Sequence, residues 1–164
     1  MKKLIPTLLL LCSIVAVGQI KFTDQEYFTL RGGIDPGATI KEKGLPDVLL
    51  EIEYAGHIYA KLGFEYFEAL DPYYADIHGA VGVNLHAGRF EKIRIYGGLR
   101  LARIFRGNGG RGELVGFEAG LDYNITEKFF IGPRFTYDYR NDGKTLGWDP
   151  YWRENFFITA GIKF

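Results

Sequence analysis

Serine and cysteine are nearly absent from this chain of 164 residues, which has Ser13 as its single serine and Cys12 as its single cysteine. Both fall before residue 18, so a chain that loses its first 18 residues keeps no thiol and no serine hydroxyl. Disulfides and thiolate chemistry are then excluded, and so is a serine nucleophile. Net charge is lacking too, with 20 basic residues against 20 acidic ones. Without Lys2 and Lys3 the balance is 18 against 20, a formal charge of −2. Neither nucleic acid nor an anionic surface finds an electrostatic handle in that balance. There is also no apolar run long enough to cross a membrane as a helix. The longest, 4–17, is broken by Pro6, Thr7, Cys12 and Ser13. As a helix it would measure about 21 Å, short of the ~30 Å hydrocarbon core.

That short run follows Met1, Lys2 and Lys3 and ends on Ala16-Val17-Gly18, a basic start, an apolar middle and a small-x-small cleavage pattern. Residues 1–18 therefore read as a signal peptide, with Gln19 as the mature N-terminus and 19–164 as one domain. An uncleaved anchor is the alternative. Lipidation at Cys12 is disfavoured because the preceding Leu11 is large and apolar sequence continues to Val17.

After residue 20 no stretch sustains a 3.6-residue period, whereas a period of two recurs between Gly, Asp and Asn breaks. Eight segments are predicted, at 27–34, 47–55, 57–68, 73–86, 90–105, 112–124, 127–140 and 153–164. Most are longer than the five or six residues usual in soluble sheets, and they suit a tilted strand crossing a bilayer in about nine to eleven. One phase of each segment is apolar, as in Val48, Leu50, Ile52 and Tyr54, or Val115, Phe117, Ala119 and Leu121. The other carries seven cations, Arg31, Lys61, Arg94, Arg100, Arg134, Arg140 and Lys163. It also carries seven anions, Glu51, Glu53, Glu65, Asp76, Glu118, Asp122 and Asp138.

Alternation alone does not say which phase faces inward. The strand ends do, if strands run up and down. Aromatics then gather at one rim as Tyr27, Phe28, Tyr54, Phe90, Tyr123, Phe129, Phe130 and Phe164. They gather at the other as Tyr66, Phe67, Tyr73, Tyr74, Phe105, Tyr137, Tyr139, Tyr151 and Trp152. Two aromatic belts belong to a lipid-facing wall. Connections near Ala55-Gly56, Ala87-Gly88-Arg89 and Ile125-Thr126 are short; the opposite ones, 35–46, 69–72, 106–111 and 141–151, are mostly longer. A closed, even count is expected, since an open edge in lipid leaves backbone groups unsatisfied. Pro133, within the seventh segment, must forfeit a ladder bond, and a bulge at Gly132-Pro133 is expected.

The closing segment from Asn155 to Phe164 alternates apolar residues and ends on Phe. On this and the eight segments the chain resembles the small OmpA/OmpX-type outer-membrane barrels. The resemblance implies an all-β, eight-stranded antiparallel up-and-down transmembrane β-barrel after a cleaved signal peptide, in the outer membrane of a Gram-negative-type envelope. It implies that Phe156, Ile158, Ala160, Ile162 and Phe164 form the signal read by the outer-membrane assembly machinery. It also implies that the fourteen charges form an internal salt-bridge network, stable only if nearly every charge is paired. The implied partners are outer-membrane lipid and lipopolysaccharide, with the chain a monomer and its extracellular ligand unread.

Gly107, Gly109 and Gly112 match G-x-G-x-x-G, but a period-2 segment follows where a phosphate site needs a helix. His78 and His86 share a face yet lie about 26 Å apart along a strand, and His57 and His86 are separated by two strands, so no metal site is expected. Loop acids Asp71, Asp142 and Asp149 are explained by turn chemistry. Trp148, Tyr151 and Trp152 offer a candidate loop contact surface. Lipid-modifying barrels of similar size use a Ser hydroxyl, which is missing here. The reading is thus a non-enzymatic barrel with no cofactor and no metal, displaying loops for envelope integrity, adhesion or surface protection. A narrow pore, a lipid-modifying enzyme and a soluble lipocalin-like barrel remain as alternatives.

Overall fold

Successive side chains of an extended chain leave opposite faces, and β-branched and aromatic residues fill one of those faces throughout this sequence. The computed structural model describes residues 20–22, 25–42, 44–87, 92–143, 147 and 149–164. The expected leader 1–18, Gln19, Phe90 and Trp148 lie outside the described residues. Nine strands are described: β1 (Ile20–Phe22), β2 (Tyr27–Asp35), β3 (Asp47–Ala55), β4 (Ile58–Phe67), β5 (Tyr74–Ala87), β6 (Ile93–Arg106), β7 (Arg111–Asn124), β8 (Phe129–Arg140) and β9 (Tyr151–Lys163). Strands β2 to β9 correspond to the eight expected segments, with ends displaced by three residues at most.

Each of β2 to β9 pairs antiparallel with its sequence neighbour, and β9 returns to β2, which closes the barrel. Two elements were not anticipated. The short β1 pairs with Leu85–Ala87 of β5, beyond the point where β4 begins at Ile58 opposite Val83. The first long loop contains a one-and-a-half-turn helix, α1 (Pro36–Lys41). Its start is explained by Asp35, whose side chain accepts from Ala38 N at 2.9 Å, and by Pro36, whose missing N–H costs nothing in a first turn.

Short turns at 56–57 and 125–128 mark one end of the barrel, and mostly longer connections mark the other. We call these the turn end and the loop end.

The apolar phase points outward. Ile52 is 52% exposed while its neighbours Glu51 and Glu53 are each 1% exposed, and the same reversal runs round the wall through Leu62, Ile77, Leu99, Phe117, Ile131 and Ile158. Burying such a side chain away from water is worth about 1.5–3 kcal/mol, so a wall of them facing water would be self-defeating and lipid is its proper solvent. A soluble lipocalin-like barrel, with a lumen lined by apolar side chains, is overturned by this orientation.

The expected bulge at Gly132-Pro133 is not formed. The β7–β8 ladder lacks the pairs opposite Leu121 and Asp122 but has the same register above (Gly120↔Arg134) and below (Tyr123↔Ile131). No extra residue is inserted; the imino nitrogen of Pro133 simply leaves a gap. Gly132 sits where β7 comes so close that a Cβ would collide with the Leu121 carbonyl. Interior glycines Gly82 and Gly98 do similar work, leaving space that the Tyr59 ring fills.

Candidate functional site: the filled lumen

The inward phase of the eight strands delivers charged and aromatic side chains to the barrel axis, where they stack in three tiers. In the tier nearest the turn end, Arg31 of β2 grips Asp122 of β7 with two hydrogen bonds of 2.8 Å. Arg31 also donates to Glu53 Oε2 at 3.2 Å, Tyr96 OH at 3.0 Å and Thr159 Oγ1 at 3.1 Å. Arg94 of β6 donates to Asp122 at 3.0 Å and to Asn84 at 2.9 Å, and pairs closely with Glu53. The Arg31 and Arg94 guanidinium carbons lie 5.1 and 4.7 Å from the Tyr96 ring centroid, and Arg31 lies 4.7 Å from that of Phe130. Planar, bidentate arginine pairs of this kind are the strong ones.

The middle tier joins Lys61 Nζ to Glu118 at 2.8 Å and Arg134 to both Glu118 and Glu51 at 2.6 Å. His78 bridges this tier to the next, with Nε2 2.9 Å from Glu51 and Nδ1 2.7 Å from Asp76. In the tier nearest the loop end, Arg100 reaches Asp138, Glu65 and Asp76 at 2.7, 2.8 and 2.9 Å. Arg140 is different. It lies 3.5 Å from Glu65 and 3.8 Å from Asp138, its guanidinium nitrogens make no hydrogen bond, and it rests 4.4 Å from the Tyr74 ring centroid.

Above these tiers Phe67, Tyr74, Ile104 and Leu114 form a small apolar cluster, against which Ala38 of α1 and Leu70 pack. Arg106 donates to Asp142 at 2.7 Å and Arg153 to Asp47 at 3.3 Å around it. The loop-end mouth is thus roofed by side chains.

Thirteen of the fourteen charges assigned to the interior are buried in the lumen. Lys163 is the other. It is half-buried at the turn-end mouth, with Nζ 4.5 Å from the Tyr27 ring centroid. Six cations and seven anions are then left inside, and His78 stands between two of the anions. The sequence offers His78 as a possible metal ligand, but its inward parity with Asp76 places it in the lumen. Tyr59, Tyr96, Asn84 and Thr159 share the inward parity and are buried as well, a signal that charge alone does not carry.

The residues of the closing segment sit on the outer face of β9: Phe156, Ile158 and Ala160 are exposed, Ile162 half-buried, and Phe164 75% exposed. Phe164 N donates to Phe28 O at 2.9 Å, which completes the junction with β2. Tyr151 and Trp152 do not share a surface. Tyr151 turns inward, its hydroxyl 3.5 Å from Arg106, whereas Trp152 faces outward and stacks on Tyr137 with ring centroids 4.6 Å apart.

No family model matches the chain, and no curated protein matches it either. Solved structures do. The N-terminal β-barrel domain of Pseudomonas aeruginosa OprF superposes with a TM-score of 0.56 at 16% identity, covering 88% of this chain and 100% of that one. Neisserial surface protein A gives 0.52 at 13% identity, covering 84% and 95%. The Yersinia pestis outer membrane protein Ail gives 0.51 at 14% identity, covering 85% and 100%. An apolar wall facing outward, a lumen filled with paired charges and these superpositions together give the chain the fold of the small OmpA/OmpX-type eight-stranded transmembrane barrels.

Proposed function

We propose that the chain is a non-enzymatic outer-membrane protein, monomeric, that spans the bilayer as a rigid barrel. Its turn end faces the periplasm and its loop end the outside. The role is carried by the surface loops, in envelope integrity, adhesion or surface protection. The observation that carries this reading is the lumen: tiers of buried ion pairs and an apolar roof occupy the space a solute path would need. Likeness to solved outer-membrane barrels supports the location, as does the outward apolar wall. Lipid and lipopolysaccharide are the surroundings such a wall is built for, and the outer face of β9 ending at Phe164 is the surface proposed for recognition by the assembly machinery. The absence of serine after Ser13 supports a role without the hydroxyl nucleophile of lipid-modifying barrels.

Purified protein in a planar bilayer should be electrically silent, and its band on a gel should shift between unheated and boiled samples. Reproducible conductance steps would replace this reading with the narrow pore. A band that neither shifts nor fractionates with the outer membrane would remove the membrane assignment.

A further inference from the structure

Charge is almost absent from the outward phase of the wall, and what there is gathers in one hairpin. Along β2 to β9 the outward positions carry Arg103 of β6, Arg111 and Glu113 of β7, and Glu154 of β9 as their charged residues. Both cations of that phase therefore stand on the β6–β7 hairpin, at its loop end. Arg103 lies opposite Glu113 and Arg111 opposite Phe105, so the two arginines are diagonal neighbours on one face, about 7–8 Å apart. Arg103 Nη1 donates to Glu113 Oε1 at 2.7 Å. Arg111 is exposed and has no ion pair among the described residues. With Glu113 set against Arg103, the patch keeps the positive charge of Arg111. Glu154 does not cancel it, because β8 stands between, with Tyr137 and Tyr139 on its outer face.

The next outward residues on the same two strands are Leu101 and Val115, opposite each other, followed by Leu99 and Phe117. All four are exposed. Charge thus gives way to hydrocarbon within one step of the alternation, about 7 Å. A groove of about 360 Å³ lies at that step, lined by Leu101, Val115 and Tyr139, with Glu113 and Asn141 at its loop-end rim.

A cation on a lipid-facing wall costs little near the interface and much at the midplane. The planar donors of arginine suit a phosphate, which they grip with two parallel hydrogen bonds. With the loop end outside, this hairpin stands in the outer leaflet, where the phosphate-bearing lipid is lipopolysaccharide. Its lipid A is a phosphorylated disaccharide with acyl chains directly beneath. A surplus arginine one step above an apolar groove has the same order of charge and hydrocarbon, whereas a soluble anion would leave the groove unused. We propose that the outer face of the β6–β7 hairpin is a lipid A site. Arg111 and Arg103 hold one phosphate, and the adjoining acyl chain lies in the groove along Leu101 and Val115. Glu113 faces the phosphate and limits its affinity. The inference rests on the membrane placement proposed above and gives lipopolysaccharide a defined contact on the wall.

The test is native mass spectrometry of the folded protein in detergent micelles that contain equal amounts of lipid A and the same lipid A stripped of its phosphates. One retained lipid A is expected, with the phosphorylated form preferred by about tenfold, the weight of a single hydrogen bond to a charged group. Arg111→Glu, at an exposed position, should erase the preference. Glu113→Gln, which frees Arg103 and removes the facing acid, should raise it several-fold. If Arg111→Glu fails to fold, the rise in Glu113→Gln decides alone. Equal retention of the two forms by the wild type, no retention, or a preference that neither falls in Arg111→Glu nor rises in Glu113→Gln overturns the site. Gel shift on heating and outer-membrane fractionation are recorded for the wild type. A chain that does neither overturns the membrane placement, and the site with it, whereas a shifting barrel without a phosphate preference overturns the site alone.

Discussion

The two ends of the lumen use the same chemistry with different completeness. At the turn end, Arg31 and Arg94 share Glu53 and Asp122 through short hydrogen bonds, with Tyr96, Thr159 and Asn84 taking further donors. At the loop end, Arg140 is equally buried but has only the two longer ion pairs, and Glu65 Oε1 and Asp138 Oδ1 go without hydrogen bonds. A buried charge is stable only when its polar atoms are met. Loop-end groups that protein atoms do not meet are natural positions for ordered water. The turn-end tier is thus a closely bonded clamp that joins four strands, and the loop-end tier is a looser transition to the mouth.

Breaking the clamp should have the largest effect. Arg31→Ala strands Asp122 and Glu53 beside a single arginine and is expected to cost about 3–5 kcal/mol, read as a shift of the urea unfolding midpoint in lipid vesicles. A loss no greater than that of an exposed pair would end the distinction between the tiers. His78→Phe removes hydrogen bonds to two carboxylates that keep Arg100 and Arg134, and about 1–3 kcal/mol is expected on the same measurement. Arg140→Met should cost about 1 kcal/mol, because Arg140 has no hydrogen bond to lose and Arg100 still serves Glu65 and Asp138. Equal losses for Arg31→Ala and Arg140→Met would show that the clamp and the looser tier are energetically alike. Smallest of all is Arg103→Ala. Its pair with Glu113 is 2.7 Å long but half-exposed on the outer face, and a change within about 0.5 kcal/mol is expected.

Amide hydrogen exchange sharpens the same comparison without a mutation. Amides around Arg94 and Asp122 should exchange more slowly than those around Asp138 and Arg140, since local opening follows packing and hydrogen bonding. The opposite order would place the rigid tier at the loop end.

Much of this barrel was legible before any coordinates. The eight strands and their two phases, one charged and one apolar, follow from a period of two, and periodicity is local. The leader 1–18 and Trp148 remain expectations from the sequence. Helix α1 had a readable start in Asp35-Pro36, but six residues are too few for a helical period to declare itself. The expected Gly132-Pro133 bulge does not form, because sequence shows that a proline loses a bond, not whether the partner strand shifts register or tolerates a gap.

Partners were the illegible part. Arg31 and Asp122 stand 91 positions apart and meet only because closure brings β2 and β7 to one axis. Lys163 and Arg31 have the same parity, yet the tilt and stagger of the closed sheet place one at the mouth and the other at the centre. His78 enters the charge balance for the same reason. By itself the sequence determined the strands and their two faces, because these depend on neighbours a few residues away; of the rings expected in the two belts, Phe67, Tyr74 and Phe130 instead turn inward and are buried, since their parity is that of the lumen. Only the tertiary structure decided which charges pair, which tier is complete and how short the β2–β9 seam is, because register and closure are properties of the whole ring.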